Sequence, residues 1–149
     1  MVEETHFPPT SAEYDVAGGR EQDFARGAVF WSPATGAHFL PGANLERYRD
    51  LGGPSSPLRL PTTDEAPATN GGAYNLFGTG RLLWHPSTGS WAVWGAIDEA
   101  YAASGAEWGP LGYPVSSERA VPGGGARSQF ARGAIGWHPS TGAALAVGR

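Results

Sequence analysis

Short alternating runs of apolar and polar residues, broken by Gly and Pro, fill this chain, and one run comes back three times. Gly27, Val29 and Trp31 alternate with Ala28 and Phe30, and the same register returns as Gly80, Leu82, Trp84 and as Gly133, Ile135, Trp137. A period of two marks a β-strand with the recurring set on one face. That face is expected to be the buried one, because it stays alike while the opposite face changes from Phe30 to Leu83 to Gly136. Each run leads into a turn: Ser32-Pro33-Ala34-Thr35-Gly36, His85-Pro86-Ser87-Thr88-Gly89 or His138-Pro139-Ser140-Thr141-Gly142. Pro suits a turn position with φ near −65° and Gly one with positive φ, so each segment predicts a β-hairpin. Phe24, Phe77 and Phe130 open the copies but lie out of phase with the Trp, which a bulge at the following Gly would explain.

The copies stand 53 residues apart without a gap. One supersecondary unit is therefore repeated, and each unit buries its apolar face against its neighbours. Upstream of each Phe lies a Pro followed four residues later by Glu: Pro9 and Glu13, Pro61 and Glu65, Pro114 and Glu118. The one-residue length difference between copies falls in Gly-rich loops at Ala17-Gly18-Gly19, Asn70-Gly71-Gly72 and Pro122-Gly123-Gly124-Gly125, where chains absorb such changes. After two of the hairpins, residues 43–51 and 96–104 read as short helices, with Gly52 and Gly105 at the expected C-terminal stops. The prediction is a mostly β single domain over 1–149, with units about 6–42, 58–95 and 111–148 joined by those helices. The helical pattern has no third copy. A pseudo-threefold closed ring, completed by the N-terminal strand, and a short open or propeller-like array are both compatible with that offset.

Composition narrows the classes. With 149 residues, 23 Gly, 13 Pro and 40% apolar content, turns and short strands should dominate. All ten basic residues are Arg, and fourteen acids bring the net charge to −4, so the basic footprint of a nucleic-acid partner is missing. The absence of Cys excludes disulfides and thiolate metal sites and leaves the redox compartment open. Met1 to Thr10 has no apolar run of signal-peptide type, and no stretch approaches the roughly 20 apolar residues of a spanning helix. No membrane insertion is expected. If the natural protein is exported, the reading is that a leader has been removed; a cytoplasmic location stays open.

Leu111-Gly112-Tyr113-Pro114, followed by Glu118, Gln129, Phe130, Gly133 and Trp137 to Gly142, resembles the LGFP repeat of actinobacterial cell-envelope proteins. The resemblance runs over nearly the whole chain, although Leu58-Arg59-Leu60-Pro61 and His6-Phe7-Pro8-Pro9 depart from Leu-Gly-Phe-Pro. It implies tandem units of about 53 residues and a role in tethering to wall polysaccharide, at the cell wall or outside the cell. Family arrays are typically appended to a catalytic domain, and since these 149 residues hold only the array, the chain is expected either to act alone or to be an excised module.

Trp31, Trp84 and Trp137 recur in every unit, and packing is favoured for them over sugar stacking, as it is for Phe24, Phe77 and Phe130. The Trp that do not recur, Trp91, Trp94 and Trp108, are the better recognition candidates, since a position that only holds the fold tends to be alike in each unit. Glu13, Glu65 and Glu118 read as structural acceptors, because glycoside cleavage needs two acids facing one bond and symmetry separates these three. His85 and His138 follow the Trp as turn-lining residues; one His per hairpin is no zinc set. Arg26 and Arg132 match each other and are placed on the variable face, where a guanidinium binds hydroxyls or an anionic group.

No metal motif, phosphate-binding loop or nucleophile elbow is present, and no cofactor is implied. The leading reading is a non-catalytic carbohydrate-binding module for wall polysaccharide, arabinogalactan or a peptidoglycan-associated glycan. A structural or protein-interaction scaffold, with Trp91, Trp94 and Trp108 as an interface and possible homo-oligomerisation, is the alternative. A small enzyme with Glu118 or Asp64 as acid or base comes third, since nothing assembles its site.

Overall fold

The computed structural model describes residues 8–148; His6 and Phe7 of the first unit's predicted start, and Arg149, lie outside the described residues. The first repeat is a four-stranded antiparallel sheet of β1 (Tyr14–Val16), β2 (Gly19–Phe24), β3 (Gly27–Ser32) and β4 (Gly36–Pro41), followed by α1 (Gly42–Asp50). The second repeats this order with β5 (Ala66–Pro67), β6 (Ala73–Phe77), β7 (Gly80–His85), β8 (Gly89–Trp94) and α2 (Gly95–Ala103). The third supplies β9 (Arg119–Val121), β10 (Gly125–Phe130), β11 (Gly133–His138) and β12 (Gly142–Val147). The helices stop where the sequence places the stops: Gly52 and Gly105 follow with φ of 114° and 109°, a left-handed conformation that costs a Cβ-bearing residue more.

The repeat is therefore a four-stranded meander rather than a single hairpin. Phe24, Phe77 and Phe130 do not lead into a bulge; each closes the strand before the Trp strand and pairs with Gly27, Gly80 or Gly133 across a two-residue turn. Phe and Trp are out of phase because they stand on different strands. The motif Pro closes the same end, since Pro9, Pro61 and Pro114 bridge to Phe24, Phe77 and Phe130. Two residues past the Pro, a hydroxyl repeats one bond: Ser11, Thr63 and Ser116 accept from the backbone N–H of Asp23, Leu76 and Gln129 at 3.0, 3.0 and 3.1 Å. The conserved spacing thus reflects local backbone satisfaction.

The helices set the order of packing. Helix α1 lies between the first and second sheets and α2 between the second and third, so the core divides into two clusters, each joining consecutive repeats. At the centre of the first, Tyr48 is fully buried, edge-on to Phe30 at 5.2 Å and tilted over Phe77 at 5.1 Å, with its hydroxyl donating to the Arg59 carbonyl. Tyr101 takes that place in the second, stacked on Phe130 at 4.6 Å and donating to the Gly112 carbonyl at 2.7 Å. The N-terminal strand stays in its own sheet and β12 pairs only with β11 among the described residues, so the three sheets form an open succession and not a closed ring.

This arrangement corrects the expected buried face. Phe30 and Leu83, on the variable side, are 1% exposed because that side meets the repeat's own helix. The recurring side meets the helix of the preceding repeat: Leu82 belongs to the first cluster and Ile135 to the second. Trp31, with no preceding described helix over it, is 41% exposed, while Trp84 and Trp137 are half-buried. Both faces of the middle sheet are covered, which is why its successive residues Leu82 and Leu83 are both apolar and both buried.

One polar cluster fastens α1 to the first sheet. Glu21 and Asp23, two apart on β2, meet Arg49 at 3.1 Å each, and the Tyr14 hydroxyl donates to Asp23. Burial and the neighbouring Asp23 push the Glu21 carboxyl up to about 7. Burial acts in the same direction on Asp23, but hydrogen bonds from Glu21 and Tyr14 and the Arg49 charge hold it below its ordinary value. A raised folded pKa means that Glu21 contributes stability in full below about pH 4.5 and loses it as pH rises through about 7. Glu21→Gln should flatten this segment of the profile, leaving the variant a few degrees more stable than the parent at pH 8 and no more stable at pH 4.5. Melting curves across that range check it.

Candidate functional site

The second and third repeats meet in a cleft of about 150 Å³ lined by Trp94, Gly95, Ala96, Ile97, Glu118, Ala126 and Trp137. Trp94 ends β8 and passes directly into the first turn of α2, which fixes the indole beside the helix start. Trp137 lines the same cleft from β11, and its cross-strand partner there is Ala126, a small side chain. Glu118 enters from the loop before β9, and burial raises its carboxyl above the usual range. The cleft therefore offers two indoles and one partly desolvated carboxyl acceptor or donor, a combination suited to the apolar face and hydroxyl edge of a sugar ring.

The same pieces meet in the first repeat, where Glu13, Arg20 and Trp31 line a smaller cleft of about 70 Å³. There Arg20 replaces the Ala and binds Glu13 at 3.0 Å, so the carboxylate is already paired. In the second repeat, Glu65 is raised by burial and drawn back by the Asn44 amide, which stands where Ile97 lines the larger cleft. Ser90, paired across the strands with Trp84, donates to that Asn44 at 2.5 Å. Of the three equivalent acids, Glu13 is held by an arginine and Glu65 by an amide, whereas Glu118 has neither partner among the described residues.

The other sequence candidates have different surroundings. Trp91 was expected to be exposed but is half-buried: its Nε1 donates to the Thr88 carbonyl at 2.7 Å, and the Arg47 guanidinium lies 4.0 Å over the ring. Trp94 is likewise half-buried, one part against the first core cluster and another in the cleft. Trp108 is 77% exposed at the end of a short 3-10 turn and outside the cleft. Arg26 and Arg132 are not on the variable strand face; they sit in the two-residue turns, exposed, and Arg132 donates to the carbonyls of Pro110 and Gly109 at 3.0 and 3.1 Å. His85 accepts the Ser87 N–H through Nδ1 and donates through Nε2 to the Asn70 carbonyl at 2.9 Å. His138 accepts the Ser140 N–H in the same way. Both imidazoles line their turns. Among the described residues no three His, Cys, Asp or Glu converge as a metal set.

The structure brings together Glu118 and Trp137, which the sequence reading kept apart as independent packing residues. Their signal was available: acid and indole recur in all three repeats at an offset of 18 or 19 residues, which across a meander brings both to one sheet end. Asp64 does not join this cleft; it lies 3.0 Å from His38 at the first hairpin.

The three equal sheets and the recurring Pro–Phe bridge agree with a match of the LGFP repeat family model at residues 8–56, 58–109 and 111–149. The chain belongs to the LGFP repeat family. Each of the first two LGFP matches takes in one meander and the helix after it, so the family unit holds both a sheet and the element that packs it against the next. Comparison with curated proteins gave no match. No helix among the described residues is long and apolar enough to cross a membrane.

Proposed function

We propose that this protein is a non-catalytic carbohydrate-binding module, with cell-wall polysaccharide as its partner and the Trp94–Glu118–Trp137 cleft as its principal site. The observation that carries the reading is a shallow opening lined by two indoles and by a carboxyl that no cation pairs among the described residues. A sugar ring placed there exchanges water for aromatic faces and sets its hydroxyls against Glu118. One such site is weak, and attachment to a polymer relies on several contacts along one chain. The wall location and the choice between arabinogalactan and a peptidoglycan-associated glycan belong to this proposal.

Cosedimentation with insoluble arabinogalactan and with peptidoglycan tests it. The protein should pellet with at least one of them and be released by soluble fragments of the same polymer. If it stays in the supernatant with both, at low and moderate salt, the reading fails. The scaffold alternative draws on Trp108, an exposed indole away from the cleft; concentration-dependent self-association abolished by Trp108→Ala would favour it.

A further inference from the structure

A cavity of about 600 Å³, larger than the aromatic cleft, is a groove between the first and second repeats, at the level of the turns. Its polar lining is Ser32, Thr35, Ser55, Ser56, Thr62 and Arg59, with no acidic residue. The repeat itself explains why the groove is open. At the matching place between the second and third repeats, Tyr113 packs its ring 4.9 Å from His85 and donates to the Thr69 carbonyl, filling the space. Leu60 and Ser32 hold those positions here, so two rings are replaced by an aliphatic side chain and a hydroxymethyl group.

Arg59 stands where the motif has Gly112. Its φ is 65°, close to the 74° of Gly112, so this turn keeps a conformation that favours Gly while carrying the longest basic side chain. The third repeat also has a guanidinium against this turn: Arg132 lies within 3.3 Å of where a Cβ on Gly112 would be, and its N–H groups are taken by the carbonyls of Pro110 and Gly109. In the second repeat Thr79 occupies the Arg132 position and bonds to the Pro57 carbonyl. The charge has moved onto Arg59, whose side chain makes no hydrogen bond or ion pair among the described residues. The hydroxyls of Ser55 and Thr62 make no hydrogen bond among the described residues, and the Ser56 hydroxyl accepts the Leu58 N–H while its own proton has no acceptor among them. A strained, unpaired guanidinium in a hydroxyl-lined groove without acids is a receptor for an oxyanion.

We propose that this groove is a second site, separate from the Trp94 cleft, that binds an acidic sugar, with its carboxylate or phosphate on Arg59 and its hydroxyls on Ser55, Ser56 and Thr62. The groove is wider than one ionic group needs, which suits a ring carrying the anion rather than a bare ion. The site does not depend on the wall-polysaccharide reading, since no residue is shared between the two openings.

Titration of the full chain by calorimetry or amide shifts with glucuronate, glucose 6-phosphate and glucose decides the matter. At least one acidic sugar should bind tenfold or more tightly than glucose, weaken with added salt, and shift the amides of residues 55–62; which of the two binds separates carboxylate from phosphate. Arg59→Gly restores the motif residue and removes the strain, so it should fold with an unchanged or raised midpoint yet lose that preference. Leu60→Tyr, which rebuilds the filling ring of the third repeat, should also block binding. Equal affinity for glucose and both acids, or undiminished binding in a folded Arg59→Gly protein, overturns the proposal. Cosedimentation of Arg59→Gly with wall polymer reports on the Trp94 cleft and can fail or succeed independently.

Discussion

Replacing Tyr101 with Ala is expected to cost about 3–5 kcal/mol, the usual loss when a fully buried large aromatic is truncated. Tyr101 has no exposed surface, stacks on Phe130 from the third repeat, and donates to the buried carbonyl of Gly112. Because each repeat touches only its neighbours, the damage should be local to one interface: the third repeat uncouples while the first two stay joined through Tyr48. Chemical denaturation followed by Trp fluorescence should then show an earlier, separate transition in place of one cooperative step. Tyr101→Phe keeps the ring and isolates the hydrogen bond; leaving the Gly112 carbonyl unpaired should cost about 1–3 kcal/mol. A Tyr101→Ala protein that melts like the parent in one step would mean that the repeats are held together by something other than these helix-centred clusters.

The second large effect concerns binding. Trp137→Ala and Trp94→Ala should each reduce retention on wall polysaccharide by about tenfold or more, since a central aromatic contact is worth well over 1.4 kcal/mol. Trp91→Ala should not. Its indole is engaged by Arg47 and the Thr88 carbonyl, so its loss loosens α1 from the second sheet and lowers the thermal midpoint while retention stays within about twofold. Trp94 also touches the first core cluster, and a drop in its variant's stability is expected. Glu118→Gln separates the two effects: it keeps the shape of the cleft, removes an acid that burial already disfavours as an anion, and should weaken retention several-fold without lowering stability. Retention assays beside melting curves on these four variants check the pattern. Equal losses for Trp91 and Trp94 would assign both to stability alone.

The fold was largely legible because repetition multiplies weak local signals. Three copies of a turn, a Pro–Glu spacing and a Gly-rich loop fix the unit, and Gly52 and Gly105 mark the helix stops. What escaped was relational. Alternation along one strand gives two faces but not which neighbour covers each, and here both are covered in the middle sheet while the first lacks a preceding described helix over Trp31. The inference that recurring residues are core holds for Phe24, Phe77, Phe130, Leu82 and Ile135, whereas it fails for Trp31, and the exposure expected of the variable side fails at Phe30 and Leu83, for a physical reason. Variable Phe30 and Leu83 meet the repeat's own helix, whereas the recurring Trp sit at the rim of the interface, where packing with the previous helix is incomplete. The internal partner of Trp91 could not be read from the sequence, because a non-recurring aromatic can answer a non-recurring partner, here Arg47, as readily as a ligand. For the Glu118–Trp137 pair the recurrence is in the sequence, but the shared cleft follows only from the order β11, β10, β9 in one sheet.

Most direct for the central claim is an amide and indole shift map of the whole chain titrated with a soluble fragment of the wall polymer that pellets it. The account predicts saturable shifts at the indole N–H of Trp94 and Trp137 and at the amides of Gly95, Ala96 and Glu118, with the Trp108 indole unmoved. Shifts confined to Trp108, or none at saturating oligosaccharide, would contradict it.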